Sequence, residues 1–171
     1  PMDPACPDTY SVRIRALDYF FGQGELRKQV LYNIDLDLSQ GHIVIMTGPS
    51  GSGKTTLLTL IGALRSTCTG SLQVLGQELV GLDNRQLVEI RRNIGFIFQS
   101  HNLFASLTAC QNVEMAIELK GQFRNKRQQA TAILEKVGLG DRVDYKPHAL
   151  SSGQKQRVAI ARALVNQPRL I

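Results

Sequence analysis

The sequence predicts an α/β fold with an antiparallel β part and an inserted helical subdomain. Three observations support this prediction. Strand patterns alternate with helix patterns over the first hundred residues, residues 100–160 have helical periodicity, and the last four residues return to a strand pattern. The 171 residues, of which 43% are hydrophobic, are enough to bury the core of one domain.

Five strand patterns precede residue 100. They are VRIRALDYFF, QVLYNIDLDL, HIVIMTG, SLQVLG and IGFIFQ. The first two alternate apolar and polar residues, as strands with one buried face do. HIVIMTG, residues 42–48, has a short continuous apolar run ending at Gly48 and therefore predicts a fully buried strand.

The helix patterns begin directly after Gly53. Leu57, Leu60, Ile61 and Leu64 mark one helix face, and NRQLVEIRR predicts a second helix. Three more helices follow residue 100. The first begins with a capping box of Thr108 and Gln111, the second ends at Gly138, and the third begins near Ser151.

Composition and charge narrow the class of protein. The net charge of +6 permits nucleic-acid or membrane binding, but the basic residues are scattered and equally fit an ordinary surface. The three cysteines form no CxxC pair, which argues against a disulfide framework or a zinc site and fits a reducing compartment. The three histidines lack metal-binding spacing and are expected on the surface. There is neither a signal-peptide pattern nor an apolar run of about 18 residues, so we expect a soluble protein.

A phosphate-binding loop is predicted between the HIVIMTG strand and the next helix. GPSGSGKT fits the pattern G-x-x-x-x-G-K-[ST], in which backbone N–H groups cradle phosphates, the lysine reaches the β- and γ-phosphates, and the last hydroxyl holds magnesium. A plain turn is the alternative, and it gives no reason for three glycines that each cost about 0.5–1 kcal/mol relative to alanine. The predicted nucleotide-binding residues here are Gly48, Pro49, Ser50, Gly51, Ser52, Gly53, Lys54, Thr55 and Thr56. This loop predicts a P-loop NTPase core of the RecA-like type and leaves kinases, GTPases, helicases and transport ATPases open.

A second anion-seeking helix start lies in LSSGQKQRVAIARAL, residues 150–164. This stretch resembles the LSGGQ signature of ATP-binding-cassette (ABC) proteins, and the order of phosphate loop, FIFQ and signature also matches that family. Ser151 offers a hydroxyl and Gly153 an unhindered N–H, although a plain helix cap is the alternative interpretation. Ser152 replaces the usual first glycine and would be strained if that position required a positive φ.

The resemblance implies the arrangement of the site. Residues 11–171 would form an ABC nucleotide-binding domain, with a helical subdomain at about 100–160. Two such domains pack head to tail, so that Ser151, Gly153 and Gln154 of one copy cap the ATP held by the phosphate loop of the other. Lys54 and Gln99 would be catalytic, Thr55 and Gln99 would bind Mg²⁺, and Phe21 would stack on adenine, with Tyr19 and Phe20 as rivals.

The resemblance also implies a function. The wording of the motifs resembles the LolD/MacB-like exporter branch and, within it, the DevA-type glycolipid exporter ATPases. We therefore expect the ATP-hydrolysing subunit of an exporter, which acts as a homodimer in the cytoplasm, on the inner face of the membrane. A separate transmembrane permease would dock near Leu103, Phe104 and Leu107, although ordinary packing is the alternative for these three residues.

Two other functions stay open. One is a soluble ABC-type ATPase acting on nucleic acid or ribosomes, although we expect no nucleic acid because the chain lacks a long coiled coil. The other is a small-molecule kinase, against which the signature helix argues. The family's general base would follow Ile171, so we expect residues 1–171 to be C-terminally truncated and inactive when alone.

Overall fold

The computed structural model describes residues 10–22, 24–67, 69–119, 121 and 124–171. The chain divides into two compact units, residues 1–91 and 92–171. Cys6 and Cys68 lie outside the described residues, and Cys110 is buried with a free thiol. Burial raises the pKa of the Cys110 thiol. No described helix has the length and apolar character needed to cross a membrane.

The first unit is built on a four-stranded antiparallel sheet. Its strands are β1 (Tyr10–Phe21), β2 (Lys28–Ser39), β3 (Ser71–Val74) and β4 (Gln77–Glu78), in the order β2-β1-β3-β4. The alternation seen in the sequence produces this sheet, because Val12, Ile14 and Leu17 of β1 are fully buried. The antiparallel β part is therefore present as predicted.

Two helices complete the first unit. They are α1 (Lys54–Ile61) and α2 (Asn84–Arg91), both at the positions that periodicity predicts. The apolar face of each helix is buried, and the buried members are Leu57, Leu60 and Ile61 of α1 and Leu87 and Ile90 of α2. Leu64 lies beyond the end of α1 and is only half-buried.

The prediction of a buried strand at HIVIMTG is wrong for this structure. Residues 42–48 are irregular, and the side chains of Ile43, Val44 and Ile45 are 96%, 54% and 82% exposed. An apolar run shows that a segment gains from burial, but a strand also needs a hydrogen-bonding neighbour. In the described part of the first unit, no strand pairs with residues 42–48.

The second unit is helical. Its helices α3 (Ala109–Leu119), α4 (Lys126–Lys136) and α5 (Ser152–Leu164) surround an apolar core, and short 3₁₀ turns occur at Gly140–Arg142 and Pro147–Ala149. A third 3₁₀ turn, Gly24–Leu26, joins β1 to β2 in the first unit. The fully buried core side chains of the second unit include Val113, Ile117, Leu134, Leu139 and Val158.

The predicted ends of these helices are confirmed. The Thr108 hydroxyl accepts from the Gln111 N–H at 3.2 Å, and the Gln111 side chain accepts from the Thr108 N–H at 2.9 Å, which is the predicted capping box. Gly138, with φ +72°, follows the end of α4 as a left-handed C-terminal glycine.

The prediction of a strand at IGFIFQ is also wrong. Only Ile94 forms a β-bridge, a parallel one with Leu170, while residues 95–98 are irregular. The Gly95 N–H donates to the Leu170 carbonyl at 2.8 Å. The prediction that PRLI begins a strand is therefore supported by one bridge, and a single bridge does not extend into a ladder.

Candidate functional site

The phosphate loop depends on glycines in conformations that other residues rarely adopt. Gly48, Gly51 and Gly53 have φ values of +146°, +80° and +88°. The loop leads directly into α1. The Leu57 N–H of this helix donates a hydrogen bond to the Gly53 carbonyl at 2.9 Å. The amides of the first turn of α1 therefore remain available to an anion, as they do at any helix N-terminus.

The ammonium group of Lys54 lies inside the curled loop. Its Nζ donates to the carbonyl oxygens of Gly48 and Pro49 at 2.8 and 2.6 Å and to the Ser52 hydroxyl at 3.2 Å. The structure therefore brings Lys54 together with the predicted loop residues. A phosphate bound in the loop would meet this cation, and the Lys54 donors would exchange loop oxygens for phosphate oxygens.

Gly53 also serves the packing of the loop against the sheet. A Cβ atom at this position would lie 2.7 Å from Leu31 Cδ2 and 3.3 Å from the Val30 carbonyl oxygen. Both neighbours belong to β2, so only glycine lets the loop approach the strand so closely. Thr55, in the first turn of α1, is exposed.

Phe21 ends β1, as the adenine-stacking prediction requires. The Arg65 guanidinium lies 4.9 Å from the centre of its ring, and the Tyr19 ring packs edge-on at 5.2 Å. Phe20 carries the Arg27 guanidinium on its own ring at 3.9 Å. Both phenylalanine rings are thus in contact with an arginine, and the choice of Phe21 stays a prediction.

The signature residues cap helix α5 in the second unit. The Ser151 hydroxyl accepts from the Gln154 N–H at 3.2 Å, and Gln154 Oε1 accepts from the Ser151 N–H at 2.8 Å. Ser151 is therefore an N-cap residue, as the alternative interpretation predicted. An anion-binding role would be an additional function of the same residue. A Cβ on Gly153 would meet no atom within 4 Å, so there is open space beside its Cα atom.

The structure removes the concern about Ser152. Ser152 is the first residue of α5, and it does not belong to the positive-φ residues of the described chain. Serine adopts helical φ values without strain. Its backbone N–H is available at the helix start in the same way as that of the glycine it replaces.

Gln99 lies in an exposed turn of the second unit. The three apolar residues that follow it have different environments. Leu103 packs on the helical core, Leu107 is half-buried, and Phe104 has 51% of its side chain exposed. Ordinary packing therefore accounts for Leu103, while the exposed ring of Phe104 remains available to a partner.

Sequence reasoning missed two residues that hold this region. Asn112 is fully buried on α3, where its Oδ1 accepts from the Phe104 N–H at 2.8 Å and its Nδ2 donates to the carbonyls of Phe104, Leu107 and Thr108. Arg162 of α5 donates to the carbonyls of His101 and Asn102. A polar residue within the apolar faces of these helices was the available signal.

His101 corrects the expectation that all histidines lie on the surface. Its side chain is half-buried, and within the described chain its buried Nδ1 has no hydrogen-bond partner. His42 and His148 are exposed, as predicted. No group of three or more His, Cys, Asp or Glu side chains that could hold a metal occurs in the described residues.

The fold and the two helix starts define an ATP-binding cassette. The chain belongs to the ABC transporter family, whose model matches residues 31–171. This confirms the family resemblance and the predicted α/β fold of the ABC ATPase type.

Relatives specify the branch of the family. The chain is 48% identical over 163 residues to the lipoprotein-releasing system ATP-binding protein LolD 2 of Rhodospirillum rubrum, covering 94% of this chain and 71% of that protein. It is 44% identical over 162 residues to the macrolide export ATP-binding/permease protein MacB of Aggregatibacter actinomycetemcomitans. That match covers 94% of this chain but only 25% of MacB. These relatives agree with the predicted LolD/MacB-like branch, and the DevA-type subgroup stays a prediction.

Solved structures agree with this fold. The dimeric post-hydrolysis state of the ATP-binding cassette MJ0796, bound to ADP and Pi, is 38% identical and superposes with a TM-score of 0.82. The match covers 92% of this chain and 70% of that chain. A second dimeric structure of MJ0796, described as a bacterial ABC transporter cassette, gives a TM-score of 0.83 at 37% identity, again over 92% and 70% of the two chains.

Proposed function

We propose that this chain is the ATP-binding subunit of an exporter and binds Mg-ATP with its phosphate loop. The observation that carries the proposal is the position of the Lys54 ammonium inside the loop, 2.6–2.8 Å from two backbone carbonyls. A cation at the start of a helix, next to the amides of the first helical turn, favours a phosphate chain. Gly48 to Thr56 would hold the phosphates, and Phe21 would stack on the adenine.

Thr55 would hold the magnesium ion, because a hydroxyl oxygen is a ligand that Mg²⁺ accepts and this residue is exposed. Gln99 belongs to the second unit, and its role as a magnesium ligand stays a prediction of the family resemblance. When bound, magnesium would neutralise charge on the phosphates. Lys54 would add its own positive charge beside the same oxygens.

We further propose that the signature acts on a second copy of the chain. Ser151, Gly153 and Gln154 would cap the nucleotide held by the partner copy, so that two cassettes enclose two nucleotides. The open space beside the Cα atom of Gly153 and the hydroxyl proton that Ser151 can still donate support this role. The nucleotide-binding domain would span residues 11–171, with the helical subdomain at about 100–160.

Hydrolysis needs a base to take a proton from water, and neither proposed catalytic residue is one. Lys54 carries a positive charge, and the Gln99 amide has no basic atom at neutral pH. We therefore propose that residues 1–171 alone bind Mg-ATP without measurable turnover. Phosphate release from the purified chain, measured with saturating Mg-ATP, tests this directly.

The partner would be a transmembrane permease that contacts the exposed ring of Phe104. The names of the two relatives link LolD 2 to lipoprotein release and MacB to macrolide export. Both are export systems, so we propose an exporter, with the cassette in the cytoplasm against the inner face of the membrane. A DevA-like glycolipid cargo is the narrower proposal.

Equilibrium dialysis of Mg-ATP against the parent chain and two lysine variants tests nucleotide binding. Lys54→Ala removes a charge-assisted contact of about 1.5–3 kcal/mol, so the affinity should fall about 10- to 100-fold. Lys28→Ala, which removes an exposed lysine at the start of β2, is the matched control and should bind like the parent. Equal affinity in the two variants would contradict the proposal.

A further inference from the structure

Residues 101–108, here called the post-Gln99 segment, are held by side chains of two different helices. Asn112 of α3 forms four hydrogen bonds with the backbone of Phe104, Leu107 and Thr108. Arg162 of α5 holds the other end, donating to the Asn102 carbonyl at 2.7 Å and to the His101 carbonyl at 2.8 Å. Side chains outside this short segment therefore hydrogen-bond to its backbone at both ends.

The Arg162 contact holds a backbone of unusual conformation. His101 and Asn102 have φ values of +63° and +46°, two consecutive non-glycine residues in the left-handed region. A left-handed backbone is strained for a residue with a Cβ atom, although less so for asparagine, so outside hydrogen bonds help to hold the pair. The planar guanidinium matches two adjacent carbonyls with two parallel N–H groups, which a lysine cannot do.

Arg162 and the signature lie on the same helix. Ten residues separate Ser152 from Arg162, which corresponds to about 15 Å of continuous α5. Arg157 of α5 donates to the Val137 carbonyl at 3.2 Å, and Asn166, two residues beyond the end of α5, donates to the Ala116 carbonyl at 2.6 Å. Because the helix is continuous from Ser152 to Leu164, a displacement of the post-Gln99 segment would reach its signature end together with the neighbours it contacts.

We propose that Arg162 is a positioning residue that couples the post-Gln99 segment to the signature end of α5. A partner pressing on the exposed ring of Phe104 would act through the backbone of residues 101–104 on Arg162, and through α5 on Ser151. The anchoring stands on the geometry alone, while the roles of the two ends rest on the proposed function. The guanidinium is half-buried, so its hydrogen bond to the His101 carbonyl is partly shielded from water.

Hydrogen exchange without nucleotide tests the anchoring. The post-Gln99 segment contains amides whose acceptors lie within it or on Asn112, including those of Phe104 and Leu107. Arg162→Gln should speed exchange of the peptide spanning residues 101–108 by about tenfold, the equivalent of losing about 1.4 kcal/mol. Arg157→Gln is the matched control, because it removes an arginine-to-carbonyl bond from the same helix and should leave that peptide unchanged.

Arg162→Lys adds a conservative variant that keeps the charge without the two-pronged geometry. It should give an intermediate rate and also serves as the test if Arg162→Gln does not fold. Equal exchange of residues 101–108 in the Arg162 and Arg157 variants would overturn the anchoring role. An Arg162→Lys chain with parent-like exchange would overturn the requirement for the guanidinium fork.

A tryptophan reporter tests the coupling. The chain has no tryptophan, so Phe104→Trp places a single fluorophore on the post-Gln99 segment. Adding a non-hydrolysable ATP analogue with Mg²⁺ should shift its emission when Arg162 is present, and should not shift it in the Arg162→Gln background. The Arg157→Gln background should respond like the parent.

Hydrogen exchange and tryptophan emission together distinguish a failure of the coupling from a failure of the proposed function. If dialysis shows that the parent binds no analogue, the proposed function fails, and hydrogen exchange alone decides whether Arg162 anchors the segment. If the analogue binds and the emission changes equally with and without Arg162, the coupling fails while nucleotide binding stands. If it binds with no emission change in the parent, the coupling fails as well.

Discussion

At the level of single residues, the phosphate loop requires glycine for two reasons, which are backbone conformation and close packing. Gly51 and Gly53 both have positive φ, but only at Gly53 would an added Cβ atom also clash, lying 2.7 Å from Leu31 Cδ2. Gly51 has open space around the same position. A comparison of substitutions at Gly51 and Gly53 therefore distinguishes the cost of backbone strain from the cost of a steric clash.

Alanine substitutions at these two glycines should differ in cost. Gly51→Ala should lower the free energy of unfolding by about 1 kcal/mol, through strain in the left-handed region alone. Gly53→Ala should cost about 2–4 kcal/mol, because the added methyl group also displaces Leu31 from the core. Urea denaturation of both variants measures the difference, and equal costs would show that β2 yields to the methyl group freely.

Asn112 is the second residue whose removal should be costly. Asn112→Ala leaves the backbone groups of Phe104, Leu107 and Thr108 without their buried partner, so we expect a loss of about 2–4 kcal/mol. Gln128→Ala, at an exposed position of α4, is the control and should change stability by less than about 0.5 kcal/mol. A parent-like urea midpoint for Asn112→Ala would mean that water replaces the amide.

Local patterns predicted some residue roles and not others. The capping box of Thr108 and Gln111 was readable because both partners lie within one helical turn. The contacts of Arg162 join positions about sixty residues apart, and no local pattern encodes such a pair. Asn112 was hidden for a different reason, because its partners lie only four to eight residues away but are backbone groups rather than the side chains of a motif.

Among the secondary-structure elements, the β3–β4 hairpin contains a carboxylate, Glu78, that accepts several hydrogen bonds. Glu78 accepts from the Ser71 hydroxyl at 2.6 Å and from the Leu72 and Val80 N–H groups at 2.8 and 2.9 Å. Partial burial works to raise the pKa of Glu78, but these hydrogen bonds outweigh it and hold the pKa below its ordinary value of 4.5.

The lowered pKa of Glu78 gives a stability that depends on pH. A carboxyl whose pKa is lower in the folded than in the unfolded state stabilises the fold above its unfolded pKa. That contribution is lost as the pH falls through the folded pKa, so Glu78→Gln should destabilise the chain by about 1 kcal/mol at pH 7 and by less near pH 3. Urea denaturation at both pH values measures this, with Glu25→Gln as the exposed control, and a pH-independent difference would contradict it.

Helices and strands were predictable where the pattern that indicates them lies within a single segment of the sequence. Periodicity and caps located the helices, although α1 ends three residues before Leu64, and alternation located the first antiparallel strands. The segments at 42–48 and 94–98 were not, because an apolar run indicates burial without naming a pairing partner. Ile43, at 96% exposed, shows how far hydrophobicity alone can mislead about strand formation.

The central claim at the scale of the whole molecule is that the chain uses its two helix starts on two nucleotides. One start would hold the nucleotide of its own copy through Lys54, and the other would cap that of a second copy through Ser151. The ABC family match and the dimeric structures of the related cassette MJ0796 support this proposal, which the family resemblance of residues 150–164 first indicated. The spacing of the motifs alone could not have indicated it, because a contact between two copies does not affect the local periodicity of the sequence.

Sedimentation velocity with Mg²⁺ and a non-hydrolysable ATP analogue tests this claim most directly. Ser151→Asp keeps a side-chain acceptor for the Gln154 N–H, so α5 should stay capped, but its carboxylate would repel a phosphate in front of the helix. Ser151→Thr keeps both the cap and the hydroxyl. We predict that the parent and Ser151→Thr form nucleotide-dependent dimers, whereas Ser151→Asp binds the analogue and stays monomeric. A Ser151→Asp chain that dimerises like the parent, or that loses nucleotide binding as a monomer, would contradict the account.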